Sequence, residues 1–484
     1  MSNLDDMRPM IIGGEAVPAI SGEVIETTDP ATGEVVGRFP RGRAEDVEAA
    51  VAAAEAAFPA WSALPPWERG AALQALARLV DEHAEELALL DVTENGSPIR
   101  EMRKDAGAAI GSLQYFAGIA LQLRGETIPS ESGRLTYTTR QPYGVVGRII
   151  PFNHPFMFAA SKIAAPLVAG NTVVIKPSEH TSLSAIRLGE LALDVLPPGV
   201  LNVVTGYGAE AGDALVVHPR VRRIAFTGAA PTGRLIQQRA ASASVKSVSL
   251  ELGGKNPMLV FPDADLALAA EGAVRGMNFT WQGQSCGSTS RLLVHDSIYD
   301  EFVAEIVRQV EALHQGLPSD EATQTGAIVN RQQYDKVLGY IEIARGEGAR
   351  LVAGGAPPSG PGLENGLFIR PTVFADVAPD SRLAQEEIFG PVMAAIRFRD
   401  YDEALRIANG VEYGLTASIF TRDLILANRF ARDVHAGFVW VNDSSRHFPG
   451  VPFGGVKDSG VGREEDIEEM YSYTETKTVN VRFE

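Results

Sequence analysis

The chain has 484 residues, of which 45% are hydrophobic and 21% are charged. The length predicts about three domains, or two large ones carrying insertions, and the proportions indicate a folded globular protein and exclude extensive disorder. Its 43 lysines and arginines against 61 aspartates and glutamates give a net charge of −18, which repels phosphate backbones and anionic lipid headgroups, so nucleic acid and membranes are not expected as partners. The single cysteine, Cys286, excludes an intramolecular disulfide and any multi-cysteine metal centre, and we expect no metal.

The start of the chain is unlike a secretory leader. Asp5 and Asp6 stand where such a leader has basic residues, and no later segment offers about 18 uninterrupted apolar residues. Because the chain also has only one cysteine, the sequence predicts a cytoplasmic protein.

The first elements predicted along the chain are helices. Apolar residues three or four apart predict amphipathic helices over residues 44–58 and 67–90. Alternating residues that favour strands then predict an exposed or subunit-pairing strand over residues 135–140.

The residue pattern changes between residues 145 and 260, where short runs of β-branched residues alternate with helical stretches. This alternation predicts a parallel, doubly wound sheet that binds ligands at the carboxyl ends of its strands. The predicted strands are residues 145–150, 172–175, 201–204, 223–226 and 245–250.

The same alternation resumes after Cys286. It predicts strands at residues 291–294 and 439–442 and a helix at 298–313, and so a second α/β domain. The last strand-like run, residues 476–483, is expected to pair elsewhere.

Two predicted strand ends carry residues suited to a nucleotide. Lys176 and Glu179 follow the second strand, where an ammonium and a carboxylate could bond a ribose; a solvated turn is the alternative. Thr227 leads into Gly-Ala-Ala-Pro-Thr-Gly and a helix, whose first N–H groups could face a pyrophosphate. This turn lacks the second glycine of the G-x-G-x-x-G fingerprint, so a simple strand-to-helix turn also fits.

Three further residues could form a covalent catalytic site. Cys286 lies among small residues in Gly-Gln-Ser-Cys-Gly-Ser, where a substrate carbon could reach the sulfur, although a lone cysteine can also be a buried hydrophobe. Glu251 lies between two leucines at a strand end, where burial would raise its pKa towards that of a general base. Asn153 lies in Pro-Phe-Asn-His-Pro and could donate its amide to an oxyanion, or serve only as a turn.

Taken together, these motifs resemble the aldehyde dehydrogenase superfamily, of the NAD(P)-dependent, non-acylating kind. The resemblance covers nearly the whole chain, in the family's order. It begins at Ile-Gly-Gly-Glu and the Asp29 to Gly33 turn, continues through the motifs above and Glu387 to Pro391, and closes with Pro452 to Gly460 and Gly462 to Glu464.

The resemblance implies an α/β fold with three parts. A Rossmann-like cofactor domain would comprise residues 1–122 and 143–252, and an α/β catalytic domain would comprise residues 253–466. A small β oligomerisation element would combine residues 123–142 with 467–484. Such proteins are homo-oligomers, either dimers or dimers of dimers.

The resemblance also assigns catalytic roles. Cys286 would be the nucleophile, with its own N–H and the Asn153 amide holding the oxyanion of the hemithioacetal. Glu251 would activate the water that hydrolyses the thioester, and its presence favours a free carboxylic acid as product. Lys162 matches a further catalytic position.

NAD is the implied cofactor. The matching positions that would bind it are Ile150, Pro151, Phe152, Lys176, Ser178, Glu179, Gly208, Gly212, Phe226, Thr227, Gly228, Ala229, Leu252, Gln333, Glu387 and Phe389. Ala229 replaces a common serine, which removes one hydroxyl from the phosphate region. A carboxylate at Glu179 would repel a 2′-phosphate, so NAD is preferred; NADP, accepted through a rotated side chain, is the alternative.

The substrate is expected to be a polar, anionic or aromatic aldehyde. Where betaine-aldehyde enzymes of the family carry aromatic rings that hold a quaternary ammonium, this chain has His154 and Ser161. Arg446 and His447 could bond a polar substrate end, although Arg446 could instead pair with nearby Asp443. The remaining candidates for substrate contact are Trp281 and Phe453.

Three alternatives stay open beside this hypothesis. Betaine aldehyde is the second candidate substrate. An esterase could use the same thiol, oxyanion donors and base without a nicotinamide. A non-catalytic structural protein could keep the fold alone.

Overall fold

The protein, in this computed structural model, is described over residues 7–360 and 362–483. Asp5 and Asp6 lie outside the described residues, as do the extreme ends of the predicted domain segments. The strands are β1 (Met10–Ile12), β2 (Glu15–Val17), β3 (Val24–Thr28), β4 (Val35–Pro40), β5 (Thr127–Ile128), β6 (Arg134–Pro142), β7 (Val145–Ile149), β8 (Thr172–Lys176), β9 (Leu201–Val203), β10 (Val221–Thr227), β11 (Ser247–Glu251), β12 (Pro257–Val260), β13 (Arg291–His295), β14 (Arg350–Ala353), β15 (Thr372–Ala375), β16 (Val392–Phe398), β17 (Tyr413–Gly414), β18 (Thr416–Phe420), β19 (Phe438–Val441), β20 (Val456–Lys457), β21 (Gly460–Val461) and β22 (Thr474–Arg482).

The α-helices are α1 (Ala44–Ala63), α2 (Pro66–Glu82), α3 (Ala84–Asn95), α4 (Ile99–Gly118), α5 (Pro155–Val168), α6 (Leu183–Ala192), α7 (Asp213–Val217), α8 (Ala230–Ala243), α9 (Leu266–Gly276), α10 (Tyr299–Glu311), α11 (Arg331–Gly346), α12 (Arg382–Gln385), α13 (Tyr401–Asn409), α14 (Leu424–Asp433) and α15 (Ile467–Ser472). Short 3₁₀ turns and one π-helical turn, Gly208–Gly212, complete the elements.

The first sheet has eight strands in the order β2-β1-β9-β8-β7-β10-β11-β21. Its five central strands, β7 to β11, are parallel. All residues of β7 and β8 are buried, which explains why these runs are continuously apolar instead of alternating. The chain order reverses between β7 and β10, and ligands of such sheets bind outside the carboxyl ends of the strands at this switch point.

The second sheet has seven strands in the order β14-β15-β16-β13-β12-β18-β19, all parallel except β14. Only residues 252–256 connect β11 to β12. The carboxyl edge of the first sheet therefore leads directly to the amino edge of the second.

A third sheet consists of β5, β6 and β22. Strands β6 and β22 pair antiparallel over nine residues, from Pro142 opposite Thr474 to Arg134 opposite Arg482. Two small ribbons, β3-β4 and β17-β20, complete the strand pairing among the described residues.

The predicted α/β fold with parallel sheets is confirmed, and the five strands predicted for the first sheet are present as β7 to β11. The single helix predicted over residues 67–90 is wrong, because α2 ends and α3 begins at His83, whose backbone leaves the helical conformation (φ −109°, ψ 12°). One part of the predicted 253–466 segment also lies outside the second sheet, because β21 pairs with β11.

Among residues 7–360 and 362–483, no helix is long and apolar enough to cross a membrane. The same residues contain no group of three or more histidine, cysteine, aspartate or glutamate side chains that could hold a metal ion.

Candidate active site

A cleft opens where the two large sheets meet, beside the switch point between β7 and β10. Its empty volume, which includes space open to solvent, is about 580 Å³. It is lined by Pro151, Phe152, Asn153, Phe158, Thr227, Gly228, Ala229, Glu251, Leu252, Gly253, Cys286, Gln333, Lys336, Glu387 and Phe389. The cleft therefore brings together the three residues with which the sequence predicts covalent chemistry: Cys286, Glu251 and Asn153.

Asn153 lies in the oxyanion loop, residues 150–154, which connects β7 to α5. Its side chain is buried, and Asn95 Nδ2 donates to the Phe152 carbonyl at 2.6 Å. His154 precedes α5, and Pro155 occupies the first helical position, where its fixed φ suits a helix start. Proline and the Asn95 bond thus fix the loop on both sides of Asn153.

Cys286 ends the nucleophile loop, residues 282–286. Gly283 has φ +66°, and a Cβ there would lie 2.2 Å from the Gly390 carbonyl oxygen, so this turn requires glycine. Asn256 Nδ2 donates to the Cys286 carbonyl at 2.7 Å. Burial raises the pKa of the Cys286 thiol to about 12, and the negative charge of Glu251 adds to that rise. The resting sulfur is therefore a protonated thiol at neutral pH.

Glu251 ends β11 with a buried side chain, and neither carboxylate oxygen has a hydrogen-bond partner among the described residues. Burial raises the pKa of Glu251 well above its usual value, with the charge of Glu464 adding to the effect and Lys162 opposing it. Gly454 makes room for the carboxylate, because a Cβ there would lie 2.6 Å from Glu251 Oε1. A buried, unpartnered carboxyl of raised pKa suits a general base.

Lys162 does not line the cleft. Its Nζ lies 2.8 Å from Glu464 Oε2, and Arg148 binds the same carboxylate from 2.6 Å. Burial opposes the charge of Lys162, but Glu464 beside it holds its pKa above the usual range. Lys162 thus belongs to a buried ion network behind Glu251, where its positive charge opposes the rise in the Glu251 pKa.

Lys176, Ser178 and Glu179 lie in the ribose loop, residues 176–182, at the carboxyl end of β8. Lys176 Nζ donates to the Pro177 carbonyl at 2.8 Å and lies 3.4 Å from Glu179 Oε2. Although burial opposes its charge, the neighbouring ammonium lowers the pKa of Glu179, so the carboxylate is charged at neutral pH. The Ser178 hydroxyl accepts from the His180 N–H.

Gly208 and Gly212 bound the π-helical turn on the same side of the first sheet. A Cβ on Gly212 would lie 3.7 Å from Lys176 Cδ, so this turn packs against the lysine stem. None of these five residues of the β8 end and the π-turn lines the cleft itself.

The turn after β10 brings backbone to the cleft. The Gly228 N–H donates to the Glu251 carbonyl at 3.0 Å, and a Cβ on Gly228 would lie 2.4 Å from Phe226 Cζ, so glycine is required at this close approach. Ala229 precedes α8, whose first N–H groups have no partner within the helix. Ile150 and Phe226 are buried beside the cleft and do not line it.

Glu387, Phe389 and Gln333 form the opposite wall of the cleft. The Gly254 N–H donates to Glu387 Oε1 at 2.9 Å, and a Cβ on Gly253 would lie only 2.1 Å from Glu387 Oε2. Gln333 Nε2 donates to the Phe389 carbonyl at 2.7 Å, which holds Phe389 in a left-handed conformation (φ +58°). Burial raises the pKa of Glu387.

The residues predicted to contact substrate do not line the cleft. His154 Nδ1 lies 2.7 Å from Asp105 Oδ2, and its ring lies 5.7 Å from that of Trp281. Lys104 Nζ lies 5.8 Å from the Trp281 ring centroid, so this ring already has a cation–π contact with the protein's own lysine.

The other three predicted contacts, Arg446, His447 and Phe453, lie in the segment between β19 and β20. Arg446 is 60% exposed, with its Nε 3.7 Å from Asp443 Oδ1, which is the pairing that the sequence leaves open as an alternative. His447 Nδ1 lies 3.4 Å from Glu465 Oε2, and its ring packs 4.5 Å from that of Phe453.

Sequence reasoning missed three cleft residues: Phe158, Lys336 and Gly253. Helical spacing could have found two of them, because Phe158 lies four residues after His154 on α5 and Lys336 lies three residues after Gln333 on α11. No sequence pattern points to Gly253, because the contact that identifies it is with Glu387, which is distant in sequence.

Comparisons with known proteins place the chain in a family. The model of the family described as "Aldehyde dehydrogenase family" matches residues 17–479. Aldehyde dehydrogenase tropH of Talaromyces stipitatus is 48% identical, over 94% of this chain and 90% of that protein. Betaine aldehyde dehydrogenase of Sinorhizobium fredii is 44% identical, over 97% of this chain and 96% of that protein.

Solved structures are also similar to this chain. The crystal structure of PnpE from Pseudomonas sp. WBC-3 has a TM-score of 0.97 at 43% identity, covering 99% of this chain and 98% of that one. A crystal structure of PnpE in complex with nicotinamide adenine dinucleotide gives the same values.

Proposed function

The chain belongs to the aldehyde dehydrogenase family, and we propose that it oxidises an aldehyde to the carboxylic acid with NAD, through a thiohemiacetal and a thioester on Cys286. The observation that carries the proposal is the meeting of Cys286, Asn153 and Glu251 in one cleft, with both oxygens of the Glu251 carboxylate unpartnered. An aldehyde must become tetrahedral before it can lose hydride, and a thiol with an oxyanion donor is the means for that step.

The residues in the cleft and at the carboxyl end of β8 beside it fit NAD. A charged Glu179 beside Lys176 suits the hydroxyls of the adenine ribose, and the first N–H groups of α8 suit a pyrophosphate. Glu387, held by the Gly254 N–H, suits the second ribose. Because Glu179 is charged at neutral pH, it would repel the 2′-phosphate of NADP. A weak reaction with NADP remains the alternative.

In the first half-reaction, the Cys286 thiol loses its proton to the Glu251 carboxylate as the sulfur attacks the aldehyde carbon. The Asn153 amide and the Cys286 N–H donate to the oxyanion that forms, which lowers the barrier because these donors are already fixed. NAD, when bound, supplies the acceptor for the hydride whose loss turns the thiohemiacetal into a thioester.

In the second half-reaction, Glu251 returns to the carboxylate by losing its proton to solvent. It then takes a proton from a water that attacks the thioester carbon, the carbon–sulfur bond breaks to release the acid, and the leaving thiolate takes up the proton from Glu251, which restores the thiol and the carboxylate. The raised pKa of Glu251 makes its carboxylate a stronger base for this step.

The substrate that we propose is a polar, anionic or aromatic aldehyde. His154, Phe158 and Ser161 recur at helical spacing on α5, and Phe158 lines the cleft. Among the residues that the structure describes, the Ser161 hydroxyl and Trp281 Nε1 are buried without hydrogen-bond partners, and an oxygen-bearing substrate could satisfy both. Betaine aldehyde remains a second candidate because a relative of that name is 44% identical, although Lys104 over the Trp281 ring disfavours a quaternary ammonium there.

We also propose that the third sheet joins protomers into a dimer or a dimer of dimers. Strand β22 is paired on one side only, with β6, which leaves an edge that a second chain can use. Light scattering during size-exclusion chromatography would test this assembly. The cytoplasmic location stays a prediction, supported by the free thiol.

The test of the proposed function is NADH formation, followed by absorbance, against aliphatic, aromatic, acidic and trimethylammonium aldehydes, with NAD and NADP compared. Cys286→Ala is the control. A folded protein that reduces NAD with none of these aldehydes, but cleaves an activated ester through Cys286, would replace the proposal with the esterase alternative. A folded protein without activity in either assay would favour the alternative of a non-catalytic structural protein.

A further inference from the structure

The end of helix α3 carries an unusual concentration of buried polar side chains. Glu94, Asn95 and Ser97 are each at most 1% exposed, although none of them lines the cleft. Gly96 between them ends the helix with φ +81°, and a Cβ there would lie 2.7 Å from Pro30 Cγ, so the turn is held tightly in place. Buried polar groups have hydrogen-bond partners, and here the partners lie in the three loops that build the site.

Asn95 binds the oxyanion loop. Its Nδ2 donates to the Phe152 carbonyl at 2.6 Å, and the Asn153 carbonyl lies 3.5 Å from the same atom. These two carbonyls flank the backbone of the residue whose amide is to hold the oxyanion. Asn95 therefore fixes the direction of the Asn153 side chain through its main chain.

Glu94 binds the ribose loop. Its two carboxylate oxygens accept from the Ser182 N–H at 3.3 Å and the Leu183 N–H at 2.8 Å, at the start of α6. Burial raises the pKa of Glu94 to about 8, although both N–H groups oppose the rise, so the carboxyl acts here as an acceptor for the free N–H groups at the start of the helix. The position of Lys176 to Glu179, which immediately precede this point, thus depends on Glu94.

Ser97 reaches the nucleophile loop. Its hydroxyl lies 3.0 Å from Gln282 Oε1 and also contacts Asn95 Oδ1, and one hydroxyl hydrogen can serve only one of them at a time. Gln282 has φ +53° and accepts from Gln284 Nε2, two residues before Cys286. This contact joins an element of the first domain to the loop that leads into the second sheet.

We propose that residues 94–97, the α3 turn, form a positioning element that sets the oxyanion loop, the ribose loop and the nucleophile loop in register with one another. The inference rests on the proposed function, and it assigns a separate task to each of its side chains. Asn95 acts on the chemical step through Asn153, Glu94 acts on cofactor affinity through Lys176 and Glu179, and Ser97 acts on the setting of Cys286.

The test compares steady-state kinetics of Asn95→Asp, Glu94→Gln and Ser97→Ala with the wild type. Asn95→Asp keeps the shape but loses the Nδ2 donor, and we expect kcat to fall about 10²-fold, as a misplacement of about 1 Å can cause, with the KM for NAD unchanged. Glu94→Gln loses one N–H contact, and we expect the KM for NAD to rise about two- to tenfold with kcat nearly unchanged.

Thr93→Ala is the matched control, because Thr93 lies on the same helix turn and its hydroxyl donates only to the Leu90 carbonyl. General loss of stability would lower the apparent kcat of each variant in proportion to its folded fraction and leave KM unchanged, whereas positioning lowers the kcat of fully folded Asn95→Asp protein and raises the KM for NAD of Glu94→Gln. Ser97→Ala removes one hydroxyl only, and we expect a kcat about two- to tenfold lower in protein that is still folded at the assay temperature. It serves as the decisive variant if Asn95→Asp does not fold.

Folded variants that all show the kcat and KM of the wild type would overturn the proposal. So would Asn95 and Glu94 variants with identical kinetic defects. Failure of the proposed function is separate, since it would appear as a wild-type protein without aldehyde-dependent NADH formation. In that case calorimetric titration with NAD alone still tests Glu94→Gln, and equal affinity of that variant and the wild type would overturn the assignment of Glu94.

Discussion

The resting Cys286 thiol should react slowly at neutral pH. Burial and the nearby Glu251 carboxylate raise its pKa to about 12 from an ordinary value of 9.0, a shift of about three pKa units. Each unit changes the thiolate fraction about tenfold, so at pH 7.5 the enzyme should hold about 10³ times less thiolate than a free thiol does. Only the thiolate attacks an alkylating agent.

The assay is alkylation by iodoacetamide without cofactor, followed by intact-protein mass spectrometry between pH 7 and pH 10.5. Glutathione is the reference thiol, and Cys286→Ala shows whether any other group reacts. The reference rate should level off above its pKa, while the rate of Cys286 should start about 10³-fold lower and still rise at pH 10.5.

Alkylation of Cys286 at pH 7.5 as fast as that of glutathione would refute the reasoning, because it would mean that the sulfur is already a thiolate in the free protein. A rate that levels off below pH 9 would refute it as well. Either outcome would remove the need for Glu251 to accept the thiol proton.

Three further predictions concern the base, the cofactor wall and the buried ion network. Glu251→Gln should lower kcat about 10²–10⁴-fold, as loss of a general base does, and the first NADH, which reports thioester formation, should appear more slowly in stopped-flow absorbance than with the wild type; a wild-type rate for that first NADH would contradict the transfer of the Cys286 proton to Glu251. Gly253→Ala should raise the Kd for NAD in calorimetric titration, because its Cβ would lie 2.1 Å from Glu387 Oε2; an unchanged Kd would show that Glu387 does not hold the cofactor. Arg148→Met should lower the free energy of unfolding by about 3–5 kcal/mol by leaving Glu464 buried and less paired, measured by urea unfolding, and a loss under 1 kcal/mol would contradict it. Burial opposes the charge of Glu464, but Arg148 and Lys162 lower its pKa to about 2, so the stability that this carboxylate contributes is complete above about pH 4.5 and should be lost as the pH falls towards 2.

The strands of the first sheet could be predicted because β7 and β8 are buried on both faces, and burial on both faces leaves a continuous β-branched run in the sequence. The break between α2 and α3 could not, because His83 is neither proline nor glycine and the surrounding apolar periodicity continues across it.

The three chemical residues could be predicted because each lies in a short motif whose residue types fit one reaction step. The α3 turn could not, since its partners lie far along the chain: Asn95 and Phe152 are 57 residues apart, and Ser97 and Gln282 are 185 apart. For Lys162, the matching position in the family suggested a catalytic role. In the structure its ammonium is paired with Glu464 behind the cleft.

The central claim is a covalent acyl intermediate on Cys286, and trapping it is the most direct test. Glu251→Gln protein, which should form the thioester slowly as well as hydrolyse it slowly, would be mixed with an accepted aldehyde and NAD, quenched in acid at times from seconds to an hour, and examined by intact-mass and peptide mass spectrometry. The account predicts a mass gain equal to the acyl group, located on the peptide containing Cys286, and no gain when NAD is omitted. Turnover without any adduct on that peptide, or an adduct on another residue, would contradict it.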